Sequence, residues 1–105
     1  MDKPGVIRTG FSAGQLVATK GVADLCQQDP RFAEFVKLSL QRHLNGDWGD
    51  VDSEDQQTNN RAVTEEERIL SAYNDDRFPK NSVATIWIIT EADRSVTTIL
   101  FPDEY

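Results

Sequence analysis

Residues 29–46 read DPRFAEFVKLSLQRHLNG and predict the longest helix of the chain. Asp29 is a favourable N-cap, and Pro30 falls at the first helical position, where its missing N–H group leaves no hydrogen bond unmade. Apolar residues then recur at spacings of three and four: Phe32, Phe35, Val36, Leu40 and Leu44. Asn45-Gly46 supplies a left-handed stop. We therefore predict a helix over 30–44 that packs one apolar face on a core.

The last third of the chain changes to the two-residue period of β-strands. Segments 68–74, 83–90 and 96–101 are rich in β-branched and aromatic residues and are separated by turn-forming residues. The segment 83–90 is apolar on both faces, which is typical of a central strand. Three consecutive strands joined in this way predict an antiparallel meander.

Three shorter segments complete the predicted architecture. Segment 15–19 is short and apolar, and suits an edge strand or an extended segment. A helix over 20–28 is capped by Thr19, and a helix over 52–62 begins with Asp-Ser but has almost no apolar face. The fold class that follows is α+β, with N-terminal helices packed on a C-terminal three- to four-stranded antiparallel meander sheet.

Length and composition bound the number of domains and the compartment. The chain has 105 residues, the usual size of one domain, and we expect a flexible lead-in over 1–13 and a single domain over 14–105. Cys26 is the only cysteine, so no internal disulfide can form. The N-terminus lacks the apolar stretch of a secretory signal, and no apolar run is long enough to span a bilayer. We therefore expect a cytoplasmic protein that does not enter membranes.

The negative charge of the chain is concentrated in one segment. Residues 45–67 contain eight acidic residues against one basic residue, which accounts for the whole net charge of −7. Five of the acidic residues form a candidate partner-binding face: Asp52, Glu54, Asp55, Glu65 and Glu66. Such a surface repels phosphate groups, so we expect no direct binding to duplex nucleic acid and favour a basic protein partner. A mimic of DNA phosphates and a plain solvated surface are the alternative interpretations.

The single histidine provides one candidate site. His43 falls in the last turn of the predicted 30–44 helix, and Asp47 and Asp50 follow it. An imidazole beside two carboxylates could act as a general base or begin a metal site. The alternative is structural, with His43 interacting with the helix dipole and the aspartates capping turns. We expect no metal, because no further histidine or cysteine completes a ligand set and segment 50–61 lacks the glycine and glutamate of a calcium loop.

A second candidate group lies on the last turn and the last strand. Arg94 and Thr98 could bind a phosphate together with His43 and Tyr105, as such groups do on the sheets of small metal-free ribonucleases. The alternative is ordinary turn and strand chemistry, because strands favour threonine. The net negative charge also disfavours a surface that grips RNA.

Three blocks of the sequence are distinctive: RHLNGDWGD at 42–50, RILSAY at 68–73 and IWIITEADRSVTTILFPDEY at 86–105. Together they resemble a family of small bacterial proteins found on plasmids and other mobile elements. The resemblance covers about residues 14–105, with Lys20 where the family pattern has proline. Members are mostly labelled hypothetical or plasmid-related, and some carry the label of a type I restriction methyltransferase subunit. The resemblance implies a setting on mobile DNA in the bacterial cytoplasm and no particular chemistry.

The methyltransferase label does not suit these residues. Binding of S-adenosylmethionine requires a parallel sheet with a glycine-rich first turn, and the sequence predicts neither. Asp29-Pro30-Arg31-Phe32 begins a helix and is not the Asp/Asn-Pro-Pro-aromatic motif of an amino-methyltransferase. We therefore expect no cofactor.

Two functional hypotheses follow from the sequence. The first is a non-catalytic interaction or regulatory protein of plasmid or mobile-element origin, with the acidic segment as its partner-binding face. The alternative is a small hydrolase or nuclease that uses His43 with Asp47 or Asp50, or that uses Arg94 with Thr98.

Overall fold

A computed structural model describes residues 11–75, 77 and 85–105 and has an α+β fold, as predicted. Its elements are β1 (Gln15–Ala18), α1 (Lys20–Gln28), α2 (Pro30–Leu44), α3 (Ser53–Glu65), β2 (Ile69–Asn74), β3 (Thr85–Thr90), β4 (Val96–Leu100) and a 3₁₀ turn (Pro102–Glu104). Helices α1 and α2 cover one face of the four-stranded sheet, and α3 lies beside β2. The predicted strand over 83–90 is observed from Thr85, since its first two residues lie outside the described part of the chain.

The sheet is mixed, which corrects the prediction of a purely antiparallel meander. Its strand order is β1-β4-β3-β2, and β2, β3 and β4 do form an antiparallel meander. Strand β1, however, pairs in parallel with β4, with Gln15 opposite Val96 and Ala18 opposite Ile99. Tight turns force consecutive strands to run antiparallel, but three helices and two strands separate β1 from β4. The local sequence therefore could not set their relative direction.

Capping residues explain why the helices begin where they do. The Asp29 carboxylate accepts hydrogen bonds from the N–H groups of Arg31 and Phe32, and Thr19 and Asp52 cap α1 and α3 in the same way. Helix α3 ends three residues beyond the predicted position, where Glu66 takes a left-handed φ of 56°. Among the described residues, no helix is long and apolar enough to cross a membrane.

The core has two parts that meet around the end of α2. The larger part lies between α1, α2 and the sheet, and contains Val22, Phe32, Phe35, Val36, Tyr73, Ile86, Ile88, Ile99 and Phe101. The smaller part joins α3 to the sheet through Trp48, Ala62 and Ile69, and Phe11 packs against it. Phe11 belongs to the predicted lead-in over 1–13, of which residues 1–10 lie outside the described chain.

The β2 edge of the sheet is closed by the chain itself. The N–H group of Ala72 donates to the carbonyl of Trp48, and the N–H group of Asp50 donates to the carbonyl of Ala72, at 3.3 and 2.7 Å. The Asn59 side chain then takes the place of a neighbouring strand: Nδ2 donates to the Leu70 carbonyl at 2.7 Å, and Oδ1 accepts from the Leu70 N–H at 3.3 Å. These four bonds hold the acidic segment against the sheet.

Candidate functional site

His43 lies inside the protein and not in a cleft. The last turn of α2 directs its fully buried side chain onto β2 and β3. Nδ1 is 2.5 Å from Ser71 Oγ, and Nε2 is 2.9 Å from Thr90 Oγ1. The rings of Phe11 and Trp48 approach the imidazole edge-on, with centroids at 5.4 and 5.6 Å. Both ring nitrogens are therefore hydrogen-bonded to hydroxyl groups, and the rings of Phe11 and Trp48 pack against the imidazole.

The direction of each hydrogen bond around His43 follows from one backbone carbonyl. Thr97 Oγ1 lies 2.8 Å from the carbonyl oxygen of Ala13, which can only accept, so Thr97 donates its single hydroxyl hydrogen there. Thr90, 2.7 Å away, must then donate to Thr97, and Nε2 of His43 must donate to Thr90. The Ser71 hydroxyl hydrogen then goes to Nδ1, 2.5 Å away, because its other acceptor, the Ile88 carbonyl oxygen, is much farther away at 3.5 Å. The chain of donors thus specifies a neutral imidazole with its proton on Nε2.

Burial keeps this imidazole neutral. Desolvation lowers the pKa of His43 from 6.5 to about 4, because the charged form loses its hydration inside the protein. A proton on Nδ1 would also remove the acceptor that the Ser71 hydroxyl needs. Since both side chains are fully buried, neither can touch a substrate in this conformation.

The two aspartates that follow His43 serve other partners. Asp47 forms a two-point bond with the Arg42 guanidinium, at 2.8 and 3.1 Å, and accepts from the N–H group of Gly49. The bond to Arg42 is the main reason that the pKa of Asp47 lies below its ordinary value. The carboxylate of Asp50 accepts from the N–H group of Asn74 at 2.9 Å. The structure thus places Asp47 and Asp50 near the end of α2 but brings neither carboxylate to the imidazole.

Arg94 closes the C-terminal end of α3. It takes a left-handed φ of 61° in the turn between β3 and β4. Its guanidinium donates to the carbonyl oxygens of Glu67, Ala62 and Glu91, at 2.7, 2.8 and 3.1 Å. A cation is favourable beside the carbonyl oxygens at a helix C-terminus, so this position has a structural explanation.

The four residues of the second candidate group do not meet. Thr97 faces the helices and bonds to the network of His43, so the adjacent Thr98 points to the opposite face of the sheet. Tyr105 also lies on that opposite face, where its hydroxyl accepts from Arg68 at 2.8 Å and its ring contacts Trp87. Arg94 is held at the end of α3.

The acidic face is at the surface, and part of it is already neutralised. Asp52 accepts from the N–H group of Asp55 as the N-cap of α3, and Glu65 lies 3.3 Å from the guanidinium of Arg61. All five residues of the predicted face are exposed: Asp52, Glu54, Asp55, Glu65 and Glu66. Three of them carry carboxylates with no side-chain partner in the described chain: Glu54, Asp55 and Glu66. Among the described residues, these three carboxylates are the free charges of the segment.

A shallow groove beside α2 adds no free charge. Leu38, which is 48% exposed, lies in it with Arg42 and Arg77. Arg42 is bound to Asp47, and Arg77 is bound to Asp75 at 2.6 Å. Neither guanidinium is thus available to an anion without losing its carboxylate.

Some partners of His43 were not found from the sequence. These partners are Ser71, Thr90 and Thr97, and all three are fully buried. The signal was present in the alternation of β2, where Ser71 falls on the same face as Ile69 and Tyr73. A hydroxyl on a core-facing strand position needs a buried partner, and the histidine is the side chain that supplies it.

Metal-binding clusters and known relatives were also considered. Within the described ranges, no three histidine, cysteine, aspartate or glutamate side chains lie close enough together to hold a metal ion. Comparison with protein-family models, with curated proteins and with solved structures finds no match to this chain. The resemblance to proteins of mobile elements therefore stays a prediction from the sequence.

Proposed function

We propose that this protein is a non-catalytic interaction or regulatory protein that presents its acidic segment, residues 45–67, to a basic protein partner. The observation that carries the proposal is how little α3 contributes to the core. Of its 13 residues, only Asn59 and Ala62 are buried. Apart from the partly buried Val63, the rest of the helix is exposed, and its first turn holds the carboxylates of Glu54 and Asp55.

Charge distribution supports a basic partner. Opposite charges across an interface speed association and select partners more than they add affinity. Five of the eight acidic residues in the segment bind internal partners, which makes the surface a poor copy of a regular phosphate row. A protein surface with a few lysine or arginine residues matches the three free carboxylates better than a site built for DNA.

The enzymatic alternative has less support. A hydrolase needs its base within hydrogen-bond reach of a substrate, and His43 is sealed between hydroxyl groups and aromatic rings. Arg94 and Thr98 lie apart, so they do not form a phosphate site in this conformation. The resemblance of the sequence to mobile-element proteins suggests that the partner is a protein of a plasmid-bearing bacterium, in the cytoplasm.

Capture from a bacterial lysate with matched variants tests the proposal. Glu54→Gln with Asp55→Asn removes two free carboxylates of the segment. Glu34→Gln with Asp103→Asn removes two exposed carboxylates from α2 and the 3₁₀ turn, with the same change in net charge.

The two double variants are expected to behave differently. Proteins captured by the wild type should be kept by the control and lost by the 54/55 variant, and binding of a purified partner should weaken with salt. Equal capture by the two variants, or capture of nothing above background, would contradict the proposal.

A further inference from the structure

Within the part of the chain that the structure describes, nothing pairs with the outer edge of β1, in contrast to the β2 edge. In the described chain, β1 pairs only with β4, and all four of its residues are exposed. The N–H group of Gln15 donates to the carbonyl of Ser95, just before β4, and that of Thr19 donates to the carbonyl of Ile99 in β4, both at 3.0 Å. The odd-numbered residues of β1 therefore turn their backbone groups towards β4. Leu16 and Ala18 therefore point their N–H and carbonyl groups outward.

The strand also lacks the features that guard exposed edges. Its sequence, QLVA, has no charge and no proline, and only its short length protects it. Leu16 and Val17 are 51% and 38% exposed, and they are two of the four large hydrophobic residues exposed in the described chain. An uncharged edge with outward backbone groups is a template for another strand.

We propose that β1 pairs with β1 of a second copy of this chain, in antiparallel orientation about a two-fold axis at Val17, to form a continuous eight-stranded sheet. In this register Leu16 lies opposite Ala18 of the other copy, and each pair exchanges two N–H···O=C bonds. All outward groups of the strand are then used in four bonds. A register centred on Leu16 needs Gly14, whose N–H group is already bound by Ser12 at 3.3 Å.

The distribution of charge is compatible with a second copy as the occupant, because the uncharged β1 meets no like charge on its own copy. A molecule with a net charge of −7 repels its copies unless the contact keeps the excess charge apart. The acidic segment is attached to β2, at the far edge of the sheet from β1. Seven strand spacings then separate the two β2 strands, about 33 Å at 4.7 Å each. This exceeds the screening length of about 10 Å at 0.1 M salt, so the two acidic segments hardly interact.

The inference does not depend on the proposed function. A dimer of this form presents its two acidic segments at opposite ends, whatever they bind. The contact is short, so we expect dissociation in the micromolar range, typical of small interfaces.

Cysteine cross-linking tests the register. In a Cys26→Ser background, Val17→Cys faces its own copy in a non-hydrogen-bonded pair, with Cα atoms about 4.5 Å apart, within the range of a disulfide. Gln15→Cys lies on the same face of the same strand, but the Cα atoms of residue 15 in the two copies are about 14 Å apart. Mild oxidation should give a disulfide dimer with Val17→Cys and leave Gln15→Cys monomeric. No dimer with Val17→Cys, or equal dimer with both, would overturn the register.

Sedimentation without cross-linking tests the dimer itself. The wild type should shift from monomer to dimer between about 10 µM and about 1 mM. Leu16→Lys should remain monomeric, whereas Leu38→Lys, a leucine of similar exposure on α2 with the same change in charge, should dimerise as the wild type does. A wild type that stays monomeric throughout, or a Leu38→Lys variant that loses the dimer equally, overturns the proposal.

Discussion

Ser71 Oγ lies 2.5 Å from Nδ1 of His43, a serine–imidazole pair like the one that serine hydrolases form through Nε2 to activate a nucleophile. In hydrolases the other ring nitrogen is oriented by a carboxylate and the pair opens onto a substrate. Here Nε2 donates to the hydroxyl of Thr90, and both members of the pair are fully buried. The same two side chains thus hold the end of α2 against β2 and β3. Their hydrogen bonds fix its position, whereas apolar contacts are not directional. We therefore interpret the network as structural, although it contains a serine and a histidine as catalytic networks do.

Replacing His43 by alanine should destabilise the fold strongly. The change removes two hydrogen bonds, leaves the Ser71 hydroxyl without its close acceptor and the Thr90 hydroxyl without its donor, and opens a cavity beside Trp48. The expected loss is about 3–5 kcal/mol in the free energy of unfolding, measured with urea. Ser71→Ala removes one bond and should cost about 1–2 kcal/mol. Leu38→Ala, on the exposed side of α2, should cost less than about 0.5 kcal/mol. A His43→Ala variant as stable as this control would contradict the network.

Stability should fall as the pH is lowered from 6.5 towards 4. The folded state lowers the pKa of His43 to about 4, whereas the unfolded chain titrates near 6.5. Below pH 6.5 the unfolded state therefore binds more protons, and the contribution of this group, complete above pH 6.5, is lost progressively down to pH 4. At 1.36 kcal/mol per unit the loss reaches about 3 kcal/mol. The pKa of Asp47 is lowered from 3.8, so its contribution to stability is lost only below about pH 3.8.

Two measurements check this pH dependence. Urea midpoints between pH 7 and pH 4 should decline, and the ¹⁵N shifts of the imidazole should show a neutral ring with its proton on Nε2 at pH 7. Zn²⁺ or Mg²⁺ should leave these shifts unchanged, because hydroxyl groups occupy both nitrogens. An ordinary titration near pH 6.5, or a shift induced by metal, would show that the imidazole is open to solvent.

Arg94 should prove to be a structural residue of α3. Glycine at this position relaxes the left-handed backbone, so Arg94→Gly isolates the loss of the guanidinium and its three bonds. We expect a loss of about 1–3 kcal/mol and faster amide hydrogen exchange at the C-terminal end of α3, with the strands less affected. Thr98→Ala, on the opposite face of the sheet, should leave exchange in α3 unchanged. Equal effects of the two substitutions would instead support a shared site.

The features predicted correctly from the sequence are those with local signals. Asp29-Pro30 and Asn45-Gly46 mark the ends of α2, and both observed ends lie where they were predicted. The two-residue period of β2 and β4 likewise gives the antiparallel meander, because both connections are shorter than the roughly twelve residues that a parallel crossover needs.

The features that escaped prediction depend on contacts far along the chain. Ser71 and Thr90 lie 28 and 47 residues from His43, and nothing near the histidine indicates them. The nearby aspartates were the natural candidates, but Arg42 and the backbone of Asn74 bind them more closely. The parallel contact of β1 with β4 is non-local in the same way.

Replacing Asn59 by aspartate should destabilise the fold. Its amide donates to the Leu70 carbonyl and accepts from the Leu70 N–H, and aspartate keeps the shape but lacks the donor. Asn59→Asp therefore sets a carboxylate against a carbonyl oxygen, and should cost about 2–4 kcal/mol in urea unfolding at pH 7. Asn60→Asp is the matched control, because the Asn60 side chain accepts from the indole N–H of Trp48 at 2.8 Å, donates to none of the described residues, and can be replaced in that role by a carboxylate. Both substitutions add one negative charge to α3, so equal losses of stability would assign the effect to charge. A loss confined to Asn59→Asp, with faster hydrogen exchange of the Leu70 amide, would assign it to the missing N–H donor at the β2 edge.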